Sequence, residues 1–237
     1  ATAAIGAIWS SCSPDFGAKG VVDRFGQVNP HILITSNGYS YNGKIFKLEE
    51  KVNGVLEVID SIKHIIEIEY VDIQSEFNHD SVIPFSKLRD NEDTPPKFEQ
   101  LPFDHPLYIM YSSGTTGPPK SIVHGAGGTL IQHMKEHQLQ CDVQAGKSKI
   151  FWFTTCGWMM WNWLVSGLSS GATVVLYDGS PSYPNLEKLW KIIDDVGITH
   201  FGTSPKFLSA CDSGKLLPNE FCTLDSLQAI LSTGSPL

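Results

Sequence analysis

The sequence predicts an α/β fold built as two subdomains, each with a mainly parallel sheet flanked by helices. Short strand-like apolar runs alternate with pieces of helical spacing along the 237 residues, the pattern of α/β proteins. One polar, proline-containing stretch at 86–104, beginning Ser-Lys-Leu-Arg-Asp-Asn-Glu-Asp-Thr-Pro-Pro-Lys, interrupts that alternation. The expected division is a first subdomain at 1–90, a linker at 91–104 and a second subdomain at 105–237. A crevice between such units is a common place for a ligand.

Taken in order, Ile5–Ser10 leads into a strand. Phe16–Phe25 has helical spacing, with Val21, Val22 and Phe25 on one side. His31–Thr35 reads as a short buried strand. Tyr39–Ile59 mixes Lys, Glu and apolar residues three to four apart and predicts an amphipathic helix. Ile65–Val71 alternates as a strand does. Leu107–Tyr111 and Ser121–Val123 are strand-like and flank a short loop. Gly127–Gln140 should be a helix with His133, Lys135 and His137 on polar faces. Residues 150–177 carry no charged side chain and hold four of the six tryptophans, a length that could span a bilayer. Thr154-Thr-Cys-Gly157, Asn162 and Ser169-Ser-Gly171 break the run, so it reads as strand, loop, helix, turn and strand of a buried core. Tyr183–Val196 is another amphipathic helix, and Ile198–Phe201 the strand after it.

A composition of 41% hydrophobic and 18% charged residues is that of a globular protein with a sizeable core. The net charge of −8 argues against general binding to nucleic acid or anionic membranes. The five cysteines are dispersed without a CxxC pair, as suits reduced thiols in the cytosol, and Cys156 reads as a small packing residue. The N-terminus lacks a basic stretch followed by an apolar core, so no signal peptide is expected and the expected location is cytosolic. His133 and His137 have a metal-ligand spacing but no acidic or Cys partner. The acids between Glu57 and Asp80 read as a solvated face. No metal site is expected.

The loop between the two strand-like runs reads Tyr111-Ser-Ser-Gly-Thr-Thr-Gly-Pro-Pro-Lys120. Hydroxyls at Ser112, Ser113, Thr115 and Thr116, bare amides at Gly114 and Gly117, and the Lys120 ammonium form an anion cradle. A surface turn has the same residue types. A P-loop would need an N–H-bearing glycine where Pro119 stands, and a helix where Ser121–His124 reads as a strand.

This decade resembles the signature loop, usually YTSGTTGxPKG, of the adenylate-forming acyl-CoA synthetase (AMP-binding enzyme) family. Ala4-Ile-Gly-Ala-Ile-Trp9 resembles the family's "ARIGAV" segment. Cys156-Gly-Trp158 resembles "DxGW" without its acid. Gly171-Ala-Thr-Val-Val-Leu176 resembles "GATVVL", and Ile198-Thr-His-Phe-Gly-Thr-Ser-Pro205 the "VTxxxxxP" strand and turn. Leu231-Ser-Thr-Gly-Ser-Pro236 resembles "xxxGEP", with Ser235 in place of the acid. Within the family, Ser121-Ile-Val-His124-Gly-Ala-Gly-Gly128, Gly157-Trp-Met-Met-Trp161 and Leu176-Tyr-Asp-Gly-Ser-Pro181 are most similar to the branch that activates acetoacetate.

The resemblance implies a two-step ligation. A substrate carboxylate attacks the α-phosphorus of Mg·ATP and releases pyrophosphate, and the CoA thiol then displaces AMP from the acyl-adenylate. The substrates are the nucleophiles, so the protein supplies positioning and charge. By resemblance, Ser112, Ser113, Gly114, Thr115, Thr116 and Gly117 wrap the phosphates, and Lys120 adds the catalytic cation. Gly234, Ser235 and Pro236 contact adenine. Trp158, Met159 and Met160, with Thr233 opposite, line the acyl pocket, although methionines pack cores equally well. Lys44 aligns with a basic run that contacts CoA, or is a solvated lysine. His124 matches a position beside the active site, or is a satisfied core histidine. The implied substrates are acetoacetate, ATP with Mg2+, and CoA. Another short- or medium-chain acid such as acetate, or a non-catalytic nucleotide-binding remnant, is the alternative. Family members continue well past these motifs to a ribose-binding Asp, a phosphate-binding Arg and a mobile C-terminal domain with a catalytic lysine. The resemblance therefore implies a central piece of the large N-terminal domain, and no measurable synthetase activity for these residues alone.

Overall fold

The computed structural model describes residues 1–88, 95–112 and 117–235. They form two compact units, Ala1–Ala126 and Gly127–Leu237. The expected linker at 91–104 lies partly outside the described residues. The chain divides later than that linker because the strand at 106–111 pairs with the strand at 9–10 and so belongs to the first unit.

The first unit runs β1 (Trp9–Ser10), α1 (Ala18–Phe25), β2 (Ile32–Ser36), β3 (Gly38–Tyr41), β4 (Lys44–Lys47), α2 (Glu49–Leu56), β5 (His64–Ile68), β6 (Val82–Pro84), β7 (Pro106–Tyr111) and β8 (Ser121–Gly125). Strands β2, β5 and β6 form a parallel sheet in that order. In the sheet β1-β7-β8, β1 and β7 are parallel while β7 and β8 are antiparallel. Phe25 from α1, Val52 and Val55 from α2, and Ile65 from β5 are buried together in the core, which explains the apolar spacing of both helices.

Two expectations are corrected here. Tyr39–Ile59 is not one helix. Asn42 and Gly43 take φ values of 50° and 73°, the paired left-handed conformation of a tight two-residue hairpin turn. They join β3 to β4, and the register partners Tyr39 and Phe46 stack at 5.2 Å. The helix starts only at Glu49, where Glu49 and Glu50 in its first turn complement the dipole. Nor is β2 buried throughout: only Leu33 faces the core, while Ile32 and Ile34 are exposed on the sheet edge. Just past β2, buried Asn37 donates through Nδ2 to the Val71 and Ile73 carbonyls, both at 2.8 Å. Its Oδ1 accepts from the Tyr70 and Val71 amides at 3.0 and 3.1 Å. One side chain thus closes the loop after β5.

The second unit opens with α3 (Ala126–Lys135), which begins at the boundary and continues into a π turn, Glu136–Gln140. Then come β9 (Lys149–Trp152), α4 (Met159–Ser166), a 3-10 turn (Gly167–Ser170), β10 (Thr173–Val175), α5 (Glu187–Val196), β11 (His200–Thr203), α6 (Pro205–Ser213) and β12 (Ala229–Ser232). The four strands are parallel in the order β10-β9-β11-β12. Side chains alternate across β9. Ile150 and Trp152 pack with Trp163 and Leu164 of α4, and Phe151 packs with Leu189, Trp190 and Ile193 of α5 and Phe207 of α6. Covering both faces explains the charge-free run at 150–177 and the doubly wound layering. No helix among the described residues is long and apolar enough to cross a membrane.

His133 and His137 are also corrected, since both are buried rather than on polar faces. His137 Nε2 donates to the Trp163 carbonyl at 2.9 Å, and its ring packs on the Trp163 indole at 4.1 Å. His133 Nδ1 pairs with Ser166 Oγ at 2.9 Å. The residues supplied by α4 turn this polar helical face into an interior one.

Candidate phosphate and acyl sites

The signature loop hangs from the β7–β8 hairpin, as the flanking strand patterns predict. Ser112 and Lys120 close its base. The Lys120 amide donates to Ser112 Oγ at 2.9 Å, and the Ser112 amide donates to the Lys120 carbonyl at 3.0 Å. Ser112 is half-buried, whereas Gly117 and the Lys120 side chain are exposed. Ser113, Gly114, Thr115 and Thr116 lie outside the described residues. At the strand end, Tyr111 Oη and Ser10 Oγ are 2.8 Å apart and the Arg24 guanidinium lies 5.9 Å from the phenol ring. Burial pushes the Tyr111 phenol up, against the pull of the Ser10 hydrogen bond. This neutral ring anchors the start of the loop. His124 packs its ring on Tyr108 at 5.0 Å, and its Nδ1 meets the Ile122 carbonyl at 3.2 Å. Lys44 sits exposed just after the hairpin turn, on a sheet separate from β7 and β8.

In the second unit the connections from β9 and from β11 run to opposite sides of the sheet. The carboxyl ends of these neighbouring strands are therefore a topological switch point, where open α/β sheets bind ligands. Trp158 caps the start of α4 just beyond β9, and its amide donates to the Thr155 carbonyl at 3.1 Å. Trp158 and Met159 are exposed, by 60% and 41%, while Met160 packs against the core cluster that also receives Leu231 of β12. Thr233, Gly234 and Ser235 follow β12 directly and are exposed; Pro236 lies outside the described residues. The structure thus brings Trp158–Met160 and Thr233–Ser235 to the same carboxyl edge of one sheet, and Ser112 to Lys120 in the other unit.

Residue-type reasoning missed three hydroxyls at this edge. Thr155 Oγ1, Thr203 Oγ1 and Ser232 Oγ are buried without a hydrogen-bond partner among the described residues. Thr203 and Ser232 are register partners on adjacent strands. A buried hydroxyl left unpaired is costly, so the edge is polar below its apolar rim. The clue in the sequence is a hydroxyl residue closing an apolar strand, as in Phe201-Gly-Thr203 and Leu231-Ser232. No disulfide links the five cysteines among the described residues. Among the described residues no three His, Cys, Asp or Glu side chains are placed to hold a metal ion.

The family model described as AMP-binding enzyme matches residues 1–237. The chain belongs to this family. It is 49% identical over its whole length to acetoacetyl-CoA synthetase of Gallus gallus and 44% identical to malonamoyl-CoA synthetase vrtB of Penicillium aethiopicum. It covers 36% of each of these proteins. The solved structure of acetoacetyl-CoA synthetase from Streptomyces lividans superposes with a TM-score of 0.93 at 43% identity, covering 99% of this chain and 36% of that one. The chain thus spans about a third of the length of the relatives it matches, and its loop and switch-point edge sit in the fold of an AMP-binding enzyme.

Proposed function

We propose that the complete polypeptide carrying these residues ligates acetoacetate to CoA through an acetoacetyl-adenylate, with release of AMP and pyrophosphate. The observation that carries this reading is the closed Ser112–Lys120 base of the signature loop, in a chain whose whole length resembles acetoacetyl-CoA synthetases. An acetoacetate carboxylate oxygen forms a bond to the α-phosphorus of Mg·ATP while the bond to pyrophosphate breaks. The CoA sulfur then bonds to the acyl carbon, and AMP leaves with the electron pair of the C–O bond.

Lys120 is the cation beside the departing phosphates, with Ser112, Ser113, Gly114, Thr115, Thr116 and Gly117 as hydrogen-bond donors. Fixed donors and charge of this kind lower a barrier by stabilising charge as it develops. Gly234, Ser235 and Pro236 hold the adenine, and Lys44 binds a CoA phosphate. Trp158, Met159, Met160 and Thr233 surround the acyl group, where two thioethers form a wall that adapts to its shape.

A second reading, a different small acid, is favoured by the 44% identity to a malonamoyl-CoA synthetase. The test is acid-dependent exchange between ATP and labelled pyrophosphate, with acetoacetate, acetate and malonamate offered in parallel. Preference for acetoacetate is expected. A preference for either other acid overturns the substrate assignment, and absence of exchange with all three overturns the ligase reading.

A further inference from the structure

Gln27 lies 92 residues before Pro119 in sequence, just past the end of α1, and the family signature does not include it. Its backbone is fixed by the turn that ends α1: the Gln27 amide donates to the Arg24 carbonyl at 3.1 Å, and Phe25 beside it is anchored in the core. The side chain is exposed, yet its polar atoms are all engaged. Nε2 donates to the Asp23 carbonyl at 2.6 Å and to the Pro119 carbonyl at 2.7 Å. Oε1 accepts from Ser121 Oγ at 3.1 Å. An exposed glutamine loses rotamer freedom in such a geometry and has water as an alternative partner, so the bridge marks a built contact. Its two distant partners, Pro119 and Ser121, are the residues on either side of Lys120. Ser112 holds the Lys120 amide and carbonyl from across the hairpin. Together they fix the peptide backbone from Pro119 to Ser121.

We propose that Gln27 is a positioning residue for Lys120, holding the lysine's backbone so that its ammonium points at the nucleotide phosphates. The proposal rests on the phosphate-binding reading of the loop. Gln27 touches no reacting atom and acts through the two residues it bridges. Its loss should therefore be felt at the step that uses Lys120, and by ATP more than by the acid or CoA.

The experiment is ATP–pyrophosphate exchange by the complete polypeptide, comparing wild type, Gln27→Met, Ser121→Ala, Lys120→Ala and the double variant Gln27→Met with Lys120→Ala. Met matches the length of Gln without its polar atoms. Two neutral hydrogen bonds are together worth roughly tenfold. Gln27→Met should lower kcat/KM for ATP about tenfold and leave KM for the acid unchanged, and Ser121→Ala should show a smaller loss in the same direction. In the Lys120→Ala background, Gln27→Met should add almost nothing, the non-additivity expected of residues that act as one unit. Wild-type values for Gln27→Met, a matching rise in KM for the acid, or full additivity with Lys120→Ala each overturn the proposal while the ligase reading stands. A wild type without exchange removes both.

Discussion

Gly202 lies in the middle of β11, where the Trp152 indole of the neighbouring strand covers it. A Cβ built there would come within 2.2 Å of Trp152 Cε3, 2.3 Å of Cδ2 and 2.8 Å of Cγ. Ordinary van der Waals contact begins near 3.4 Å, so Gly202→Ala requires the indole to retreat by more than an ångström. It has little room. Trp152 is buried edge-on against Trp163 at 5.5 Å, and Trp163 is held by its Nε1 hydrogen bond to Glu136 and by the His137 ring. Overpacking of this kind costs about 1–3 kcal/mol. Alanine's lower backbone entropy returns about 0.5–1 kcal/mol. We expect Gly202→Ala to destabilise the fold by about 1 kcal/mol net in urea unfolding followed by tryptophan fluorescence. Combining it with Trp152→Leu, which clears the site, should cost less than the sum of the two single changes. An alanine variant as stable as wild type, or strict additivity in that cycle, would refute the reasoning.

Other perturbations follow from the same geometry. Burial holds the His137 imidazole below its ordinary pKa, despite opposing pulls from the Trp163 carbonyl and Glu136. The unfolded chain therefore takes up this proton first, and stability complete above about pH 6.5 should fall as pH drops below it. Urea midpoints between pH 7.5 and 5.5 check this, and His137→Gln should flatten the slope. Asn37→Ala removes four side-chain hydrogen bonds to the backbone and should cost about 3 kcal/mol by the same unfolding assay. Under the proposed function, Lys120→Ala should lower ATP–pyrophosphate exchange by about 10²–10³-fold. Lys44→Ala should raise KM for CoA in the full reaction and leave that exchange untouched.

The alternation of strand and helix was legible because buried parallel strands and amphipathic helices carry different periods, as 150–177 and 187–196 illustrate. The β3–β4 hairpin was not. Lys, Glu and apolar residues at 39–59 satisfy a helical period, and the period outweighed the Asn42-Gly43 turn within it. Attention to that dipeptide would have divided the segment correctly. His133 and His137 were misassigned because polarity says nothing about whether a neighbouring helix will supply hydrogen-bond partners. Ser112 and Lys120 were legible as neighbours, since a hairpin brings the two ends of its loop together. The Gln27 bridge was not, because it depends on a fold-level meeting of α1 and β8 that no local pattern records. Thr203 and Ser232 likewise became notable only once the strand order made them register partners.

The strand order has a consequence for the nascent chain. β9 is made first of its sheet but ends in the interior, and its partner Ile150↔His200 lies 50 residues downstream. A ribosome adding about 5–20 residues per second leaves that edge open for on the order of 3–10 s after β9 emerges. During that interval Ile150-Phe-Trp-Phe153 presents unpaired amides and carbonyls with apolar, strand-forming side chains, a template for wrong pairing. Lys149, at the head of the strand, is the single charge placed to discourage it. The same connectivity that creates the switch-point edge therefore makes the chain most vulnerable while it is still being synthesised.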